Sequence, residues 1–77
     1  MLKKIGLLLP FFLLACSSEL HHDLQESSAN EIIVALEQAG VPAEKAWDPK
    51  NKGHFVVTVP SGSELRSLKV LENNGLP

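Results

Sequence analysis

The sequence predicts an α+β fold: two amphipathic helices on one face of a small antiparallel sheet, in the order strand, helix, strand, strand, helix. Three observations carry this. The run His54–Val59 alternates with period two, as a strand does. Two other runs repeat with helical spacing, each opening on Ser-x-x-Glu and closing on glycine, at Ser28–Gly40 and Ser61–Gly75. Between the first helix and the period-two strand lies a second extended run, joined to that strand by the polar stretch Asp48-Pro-Lys-Asn-Lys-Gly53. Helices that bury one stripe against a sheet that buries one face make a two-layer sandwich.

Residues 1–15 form a separate unit. Lys3 and Lys4 precede Ile5–Leu14, a ten-residue run interrupted only by Gly6 and Pro10. That is well short of the roughly 20 residues a helix needs to span a bilayer, so it reads as the core of a secretory signal peptide. Leu13-Leu14-Ala15-Cys16 resembles the lipobox of bacterial lipoproteins, which implies cleavage between Ala15 and Cys16 and acylation of the Cys16 thiol. Cys16 is the only cysteine in the chain, so an internal disulfide is impossible and covalent lipid accounts for it. Two or three acyl chains, at about 0.8 kcal/mol per buried methylene, anchor a protein durably. The expected organisation is signal peptide 1–15, lipidated terminus and short link 16–18, and an α+β domain over 19–77.

After cleavage 62 residues remain, one small domain at most. Their five basic residues, Lys45, Lys50, Lys52, Arg66 and Lys69, stand against nine acidic ones, a formal charge of −4. That balance disfavours nucleic acid as a partner, since its recognition needs clustered Lys and Arg. A domain this small buries only about 60% of its unfolded surface. Lacking a disulfide, it is expected to share stabilisation with neighbouring copies or domains.

Element by element, Glu19–Leu24 sets Leu20, His22 and Leu24 against Glu19, His21 and Asp23, a short edge strand. Gln25–Ser27 reads as a loop. Ser28-Ala-Asn-Glu31 is a capping box opening a helix to about Ala39, with Ile32, Ile33, Leu36 and Ala39 inward. Gly40 supplies the left-handed position that ends it and Pro42 blocks continuation. Ala43–Trp47 is a strand with Ala43, Lys45 and Trp47 on one side, and pairs antiparallel with His54–Val59, where Phe55, Val57 and Val59 face one way. Pro60 closes that strand. Ser61-Gly-Ser-Glu64 is a second capping box, followed by a helix with Leu65, Leu68 and Leu71 inward and Arg66, Lys69 and Glu72 towards water. Gly75 ends it.

The lipobox, the strand, Ser-Ala-Asn-Glu-Ile-Ile leading a helix into Ala39-Gly-Val-Pro-Ala-Glu-Lys45, Gly53 before the alternating strand, and the closing Gly75-Leu-Pro77 together resemble the YscJ/PrgK lipoproteins. These build the inner-membrane ring of type III secretion systems and are related to the flagellar MS-ring protein. The resemblance covers essentially the whole mature chain. It implies a ring-building module with this same element order, packed side by side with copies of itself in the periplasm. Other inner-membrane ring and export-apparatus proteins are the further partners implied. It also implies a second similar module and usually a transmembrane helix beyond residue 77; the 77 residues contain neither. The family favours the inner membrane, whereas Ser17 directly after the lipidated cysteine is, in enteric-type bacteria, a signal for the outer membrane.

Other chemistry finds little support. His21 and His22 are adjacent and point to opposite faces of a strand, and with His54 they still lack the ligands of a zinc site. The serines other than Ser67 fall in links or at helix starts, where capping explains them, and no Gly-x-Ser-x-Gly elbow occurs. The expectation is a structural module and not an enzyme, with no cofactor or metal beyond the lipid on Cys16. Trp47 is expected in the core; exposed beside Asp48 and Pro49, it would instead anchor a neighbouring subunit. Glu37 in the acidic first half, and Arg66 and Lys69 in the basic second half, complete the candidate interface residues, because a head-to-tail ring joins two different surfaces. The alternative is a small stand-alone envelope lipoprotein that binds a protein partner or the cell wall.

Overall fold

The computed structural model describes residues 17–77. Ala15 and Cys16, the cleavage and lipidation positions, lie outside the described residues. The elements are β1 (Ser17–Leu24), α1 (Glu26–Gln38), β2 (Glu44–Trp47), β3 (Phe55–Pro60) and α2 (Glu64–Asn73). The sheet has the order β1-β3-β2, with both pairings antiparallel. The strand-helix-strand-strand-helix α+β architecture expected from the sequence is the one observed. Ile32, Leu36, Val41, Val57, Val59 and Leu71 are almost completely buried between the helices and the sheet.

Both helices end as glycine-terminated Schellman turns. At the end of α1, Val41 N donates to Leu36 O (2.9 Å) and Gly40 N to Glu37 O (3.0 Å). At the end of α2, Leu76 N donates to Leu71 O (2.9 Å) and Gly75 N to Glu72 O (3.1 Å). The glycines sit at φ +84° and +69°, where a side chain is strained. Val41 and Leu76 then fold back onto the apolar cluster.

The helix starts differ from expectation. α1 begins a turn earlier than the Ser28 box, with Gln25 in extended conformation as its cap and no side-chain cap bond. Ala29 is wholly buried and Ala29 N donates to Gln25 O at 2.9 Å, so core packing draws residues 26–28 into the helix. Ile33 and Ala39 are half-buried, and Ala29 and Ala35 complete the inner stripe instead. At α2, Ser63 occupies the cap position without a side-chain bond. The Glu64 carboxylate does reach back, but to Gly62 N (2.7 Å) and not to Ser61.

α2 is also rotated from the expected phase. Leu65 is 79% exposed and Leu68 45%, while Ser67 and Leu71 are buried. Ser67 Oγ donates to Ser63 O at 2.6 Å, satisfying its hydroxyl within its own helix. A small side chain so satisfied lets the helix settle with the 67–71 row inward.

Two features shape the rest of the sheet. β1 slips register against β3 twice, between Glu19 and His21 and between His21 and Leu24. Its alternation therefore breaks: Leu20 and Leu24 pack against the core while His22 is exposed. Asp23 adopts a left-handed φ of +58°, and its amide donates to Asp48 Oδ2 at 2.7 Å. Asp48 is a buried carboxylate that also accepts from Lys50 N (2.8 Å) and Asn51 Nδ2 (2.9 Å). Donation by the Asn51 side chain, then by the Lys50 amide, holds its pKa down at about 2. This node ties the β2–β3 turn to the end of β1.

Candidate functional site

The candidate interface residues fall on two flanks of the sandwich. On the first, β2 is the sheet edge beneath α1. Lys45 projects from β2 towards α1, its Nζ 3.0 Å from Glu26 Oε2 and 2.9 Å from Asn30 Oδ1. The same ammonium lies 5.2 Å from the centroid of the Phe55 ring, an electrostatically favourable position. Trp47, opposite Phe55 in the ladder, stacks on that ring with centroids 4.5 Å apart and planes 25° apart. It is not a core residue: 69% of it is exposed. An edge strand only four residues long leaves the indole's outer face uncovered. Glu37 is exposed on α1.

On the second flank, α2 lies against β1. Gly62, Leu65, Arg66, Leu68, Lys69 and Glu72, all on α2 or in the turn just before it, make up its shallow, open outer face. Arg66, at the edge of this face, reaches across to α1, where its Nη2 donates to Ala39 O at 2.8 Å. The guanidinium thus satisfies a carbonyl at the negative end of α1 and couples the two helices. Arg66 is therefore occupied within the chain, whereas Lys69 is exposed. Among the described residues neither Glu37 nor Lys69 has an ion-pair partner. Glu64, at the mouth of α2, has its pKa lowered by the Ser18 hydroxyl first, then by the amides of Glu64 itself and Gly62.

The histidines are dispersed. His21 Nε2 is 2.8 Å from Pro77 O, His22 Nδ1 is 4.0 Å from Glu19 Oε1, and His54 Nδ1 is 3.5 Å from Asp23 Oδ1. Among the described residues no group of three or more His, Cys, Asp or Glu side chains is placed to hold a metal ion. Likewise, no described helix is long and apolar enough to cross a membrane.

Sequence reasoning brought out Trp47, Glu37, Arg66 and Lys69 but passed over three groups the structure makes prominent. The i, i+3 spacing alone puts Leu65 and Leu68 in the core; the buried Ser67 between them is the clue to the true phase. Lys45 follows from alternation with Trp47, yet its reach to Glu26 requires the earlier start of α1. Asp48 could have been read from Asp-Pro-Lys-Asn, since Asp side chains commonly accept from the backbone two residues on.

No family model matches the sequence. A solved structure similar to this chain is that of the type III secretion system protein EscJ from enteropathogenic E. coli. The two share 28% sequence identity with a TM-score of 0.70. The match covers 78% of this chain and 38% of the EscJ chain, so this chain corresponds to well under half of that protein. The α+β fold observed here is thus EscJ-like, the fold that the YscJ/PrgK resemblance implied.

Proposed function

We propose that this chain is a membrane-tethered assembly module of a type III secretion basal body. It would be held at the membrane by acyl chains on Cys16 and pack laterally against copies of itself around an export channel. The likeness to EscJ over 78% of the chain carries this reading. The sequence supplies the rest: a signal peptide ending at Ala15, a single acylatable cysteine, and a small acidic domain without a disulfide. The mechanism is structural. The lipid fixes the domain at the membrane surface, the helix–sheet core makes it rigid, and two unlike flanks set the geometry of association. Other inner-membrane ring and export-apparatus proteins are the remaining partners of this reading, and the periplasmic face of the inner membrane is its location.

The test is expression of the full chain in a bacterial host with an alkyne-tagged fatty acid. Incorporation that is lost in Cys16→Ser, together with amine cross-linked oligomers larger than dimers in the membrane fraction, supports the proposal. A chain that takes up label but stays monomeric at high density in the membrane removes the assembly reading. It would leave the small envelope lipoprotein. Absence of label removes the anchor.

A further inference from the structure

The exposed apolar groups lie on opposite flanks. Lys45 reaches Glu26 and Asn30, so the stripe of α1 carrying those residues faces β2. Glu37 recurs on the same stripe, seven residues after Asn30. Trp47 stands on this side of the molecule at the β2 edge, already stacked on Phe55. On α2, Arg66 is directed to α1 through Ala39 O. At 3.6 residues per turn, Leu68 falls on the flank turned away from α1, and Leu65 points outward, opposite the buried Ser67–Leu71 row. Within one molecule, then, Trp47 at the β2 edge does not cover Leu65 and Leu68, and among the described residues Glu37 and Lys69 form no ion pair.

We infer that these flanks are the two halves of one head-to-tail contact between copies of this chain. Trp47 of one copy seats between Leu65 and Leu68 of the next, with Glu37 of the first facing Lys69 of the second. The inference rests on the assembly reading above and assigns its surfaces. An indole held in place by stacking loses little freedom on docking, and aromatic anchors buried at the centre of a contact dominate interface energetics. The outer face of α2 suits it: Leu65 and Leu68 form an exposed apolar pair one turn apart, with Lys69 and Glu72 beside them. The opposing flank offers Glu37 to Lys69, and Lys50 and Lys52, in the turn just after Trp47, to Glu72. Because the surfaces differ, each contact leaves one of each kind free, so association repeats and ends as a ring where the rotation between copies closes.

The test uses the full chain in bacterial membranes with Trp47→Cys and Leu68→Cys introduced together, then oxidised. The expected result is a covalent ladder of trimers and larger species, absent from either single variant. Dimers from Trp47→Cys alone mean that two Trp47 edges meet face to face, which overturns the inference. If the unsubstituted chain forms amine cross-linked oligomers while the double variant gives no ladder, self-association stands and this choice of flanks is wrong. If the unsubstituted chain forms none, the assembly reading falls and takes the inference with it. A second measurement uses exposed positions that leave the core intact. Glu37→Lys and Lys69→Glu should each lower oligomer yield about fivefold or more, and the double reversal should return it. A double variant as weak as the singles overturns the pairing.

Discussion

Alanine at Leu71 and alanine at Leu65 should have very unequal consequences, although the two leucines sit on one short helix. Leu71 is 1% exposed within the apolar cluster. Burying a leucine contributes about 1.5–3 kcal/mol, and the cavity left behind raises the cost of Leu→Ala to about 2–5 kcal/mol. A single small core rarely supplies more than about 3–5 kcal/mol in total. Leu71→Ala should therefore consume most of the domain's stability. Leu65 has only about a fifth of its surface covered, so Leu65→Ala should stay within about 0.5 kcal/mol. Ser67→Leu, at a wholly buried position, should cost about 1–3 kcal/mol by overpacking. The assay is urea unfolding of residues 17–77 followed by far-ultraviolet circular dichroism. If Leu71→Ala does not fold, Leu71→Val, one methylene smaller, gives a measurable midpoint at a cost of about 1 kcal/mol. Equal losses at 65 and 71, or a larger loss at 65, would refute the observed phase of α2.

Three further outcomes follow from the local geometry. Gly40→Ala should cost about 1–2 kcal/mol by forcing a side chain into a left-handed conformation; the added Cβ would be 3.6 Å from Arg66 Nη2, an ordinary contact, so backbone strain sets the cost. A change within 0.3 kcal/mol in the unfolding midpoint would contradict this. Lys45→Met keeps the stem over Phe55 but loses Glu26 and Asn30, and should cost about 0.5–1 kcal/mol, shrinking in high salt for the original residue. Asp48 makes stability pH-dependent: its folded pKa of about 2 lies below the ordinary 3.8, so its contribution is complete above pH 3.8 and vanishes as pH falls through about 2. Asp48→Asn should lower the unfolding midpoint at pH 7 and flatten its dependence between pH 4 and 2. An unaltered acid limb would reject the role given to this carboxylate.

What could be read in the sequence was what local chemistry decides. Gly40 and Gly75 end their helices because the chain must pass through a conformation few other residues tolerate, and both endings are where spacing put them. The alternation of Phe55, Val57 and Val59 likewise gave the inner face of the central strand. Helix starts were less legible, because a capping serine competes with burial of a neighbour; Ala29 decided the matter at α1. Leucine spacing misplaced Leu65 and Leu68 because two rows of α2 are both compatible with a helical repeat, and only the fit against α1 chooses between them. Trp47 followed the same rule. Its side of the strand was readable from alternation, but the shortness of β2, which leaves the ring uncovered, was not. Of the candidate interface residues, Arg66 differs most from its sequence-level role, since its guanidinium is already spent on Ala39 O.

The irregularity of β1 has a consequence for how copies can meet. Two register slips and a left-handed Asp23 keep the free amides and carbonyls of this edge from forming a straight row. The opposite edge, β2, offers only four residues. Backbone-to-backbone zipping of one sheet onto the next is the path by which edge strands run on into fibres, and here neither border provides a usable template for it. In the assembly proposed above, neighbours would recognise one another through side chains, whose shape and charge prescribe an angle at every joint. A sheet extended by its backbone has no reason to stop, whereas a repeated side-chain joint closes into a ring when its angle divides a full turn and otherwise winds into an open helix.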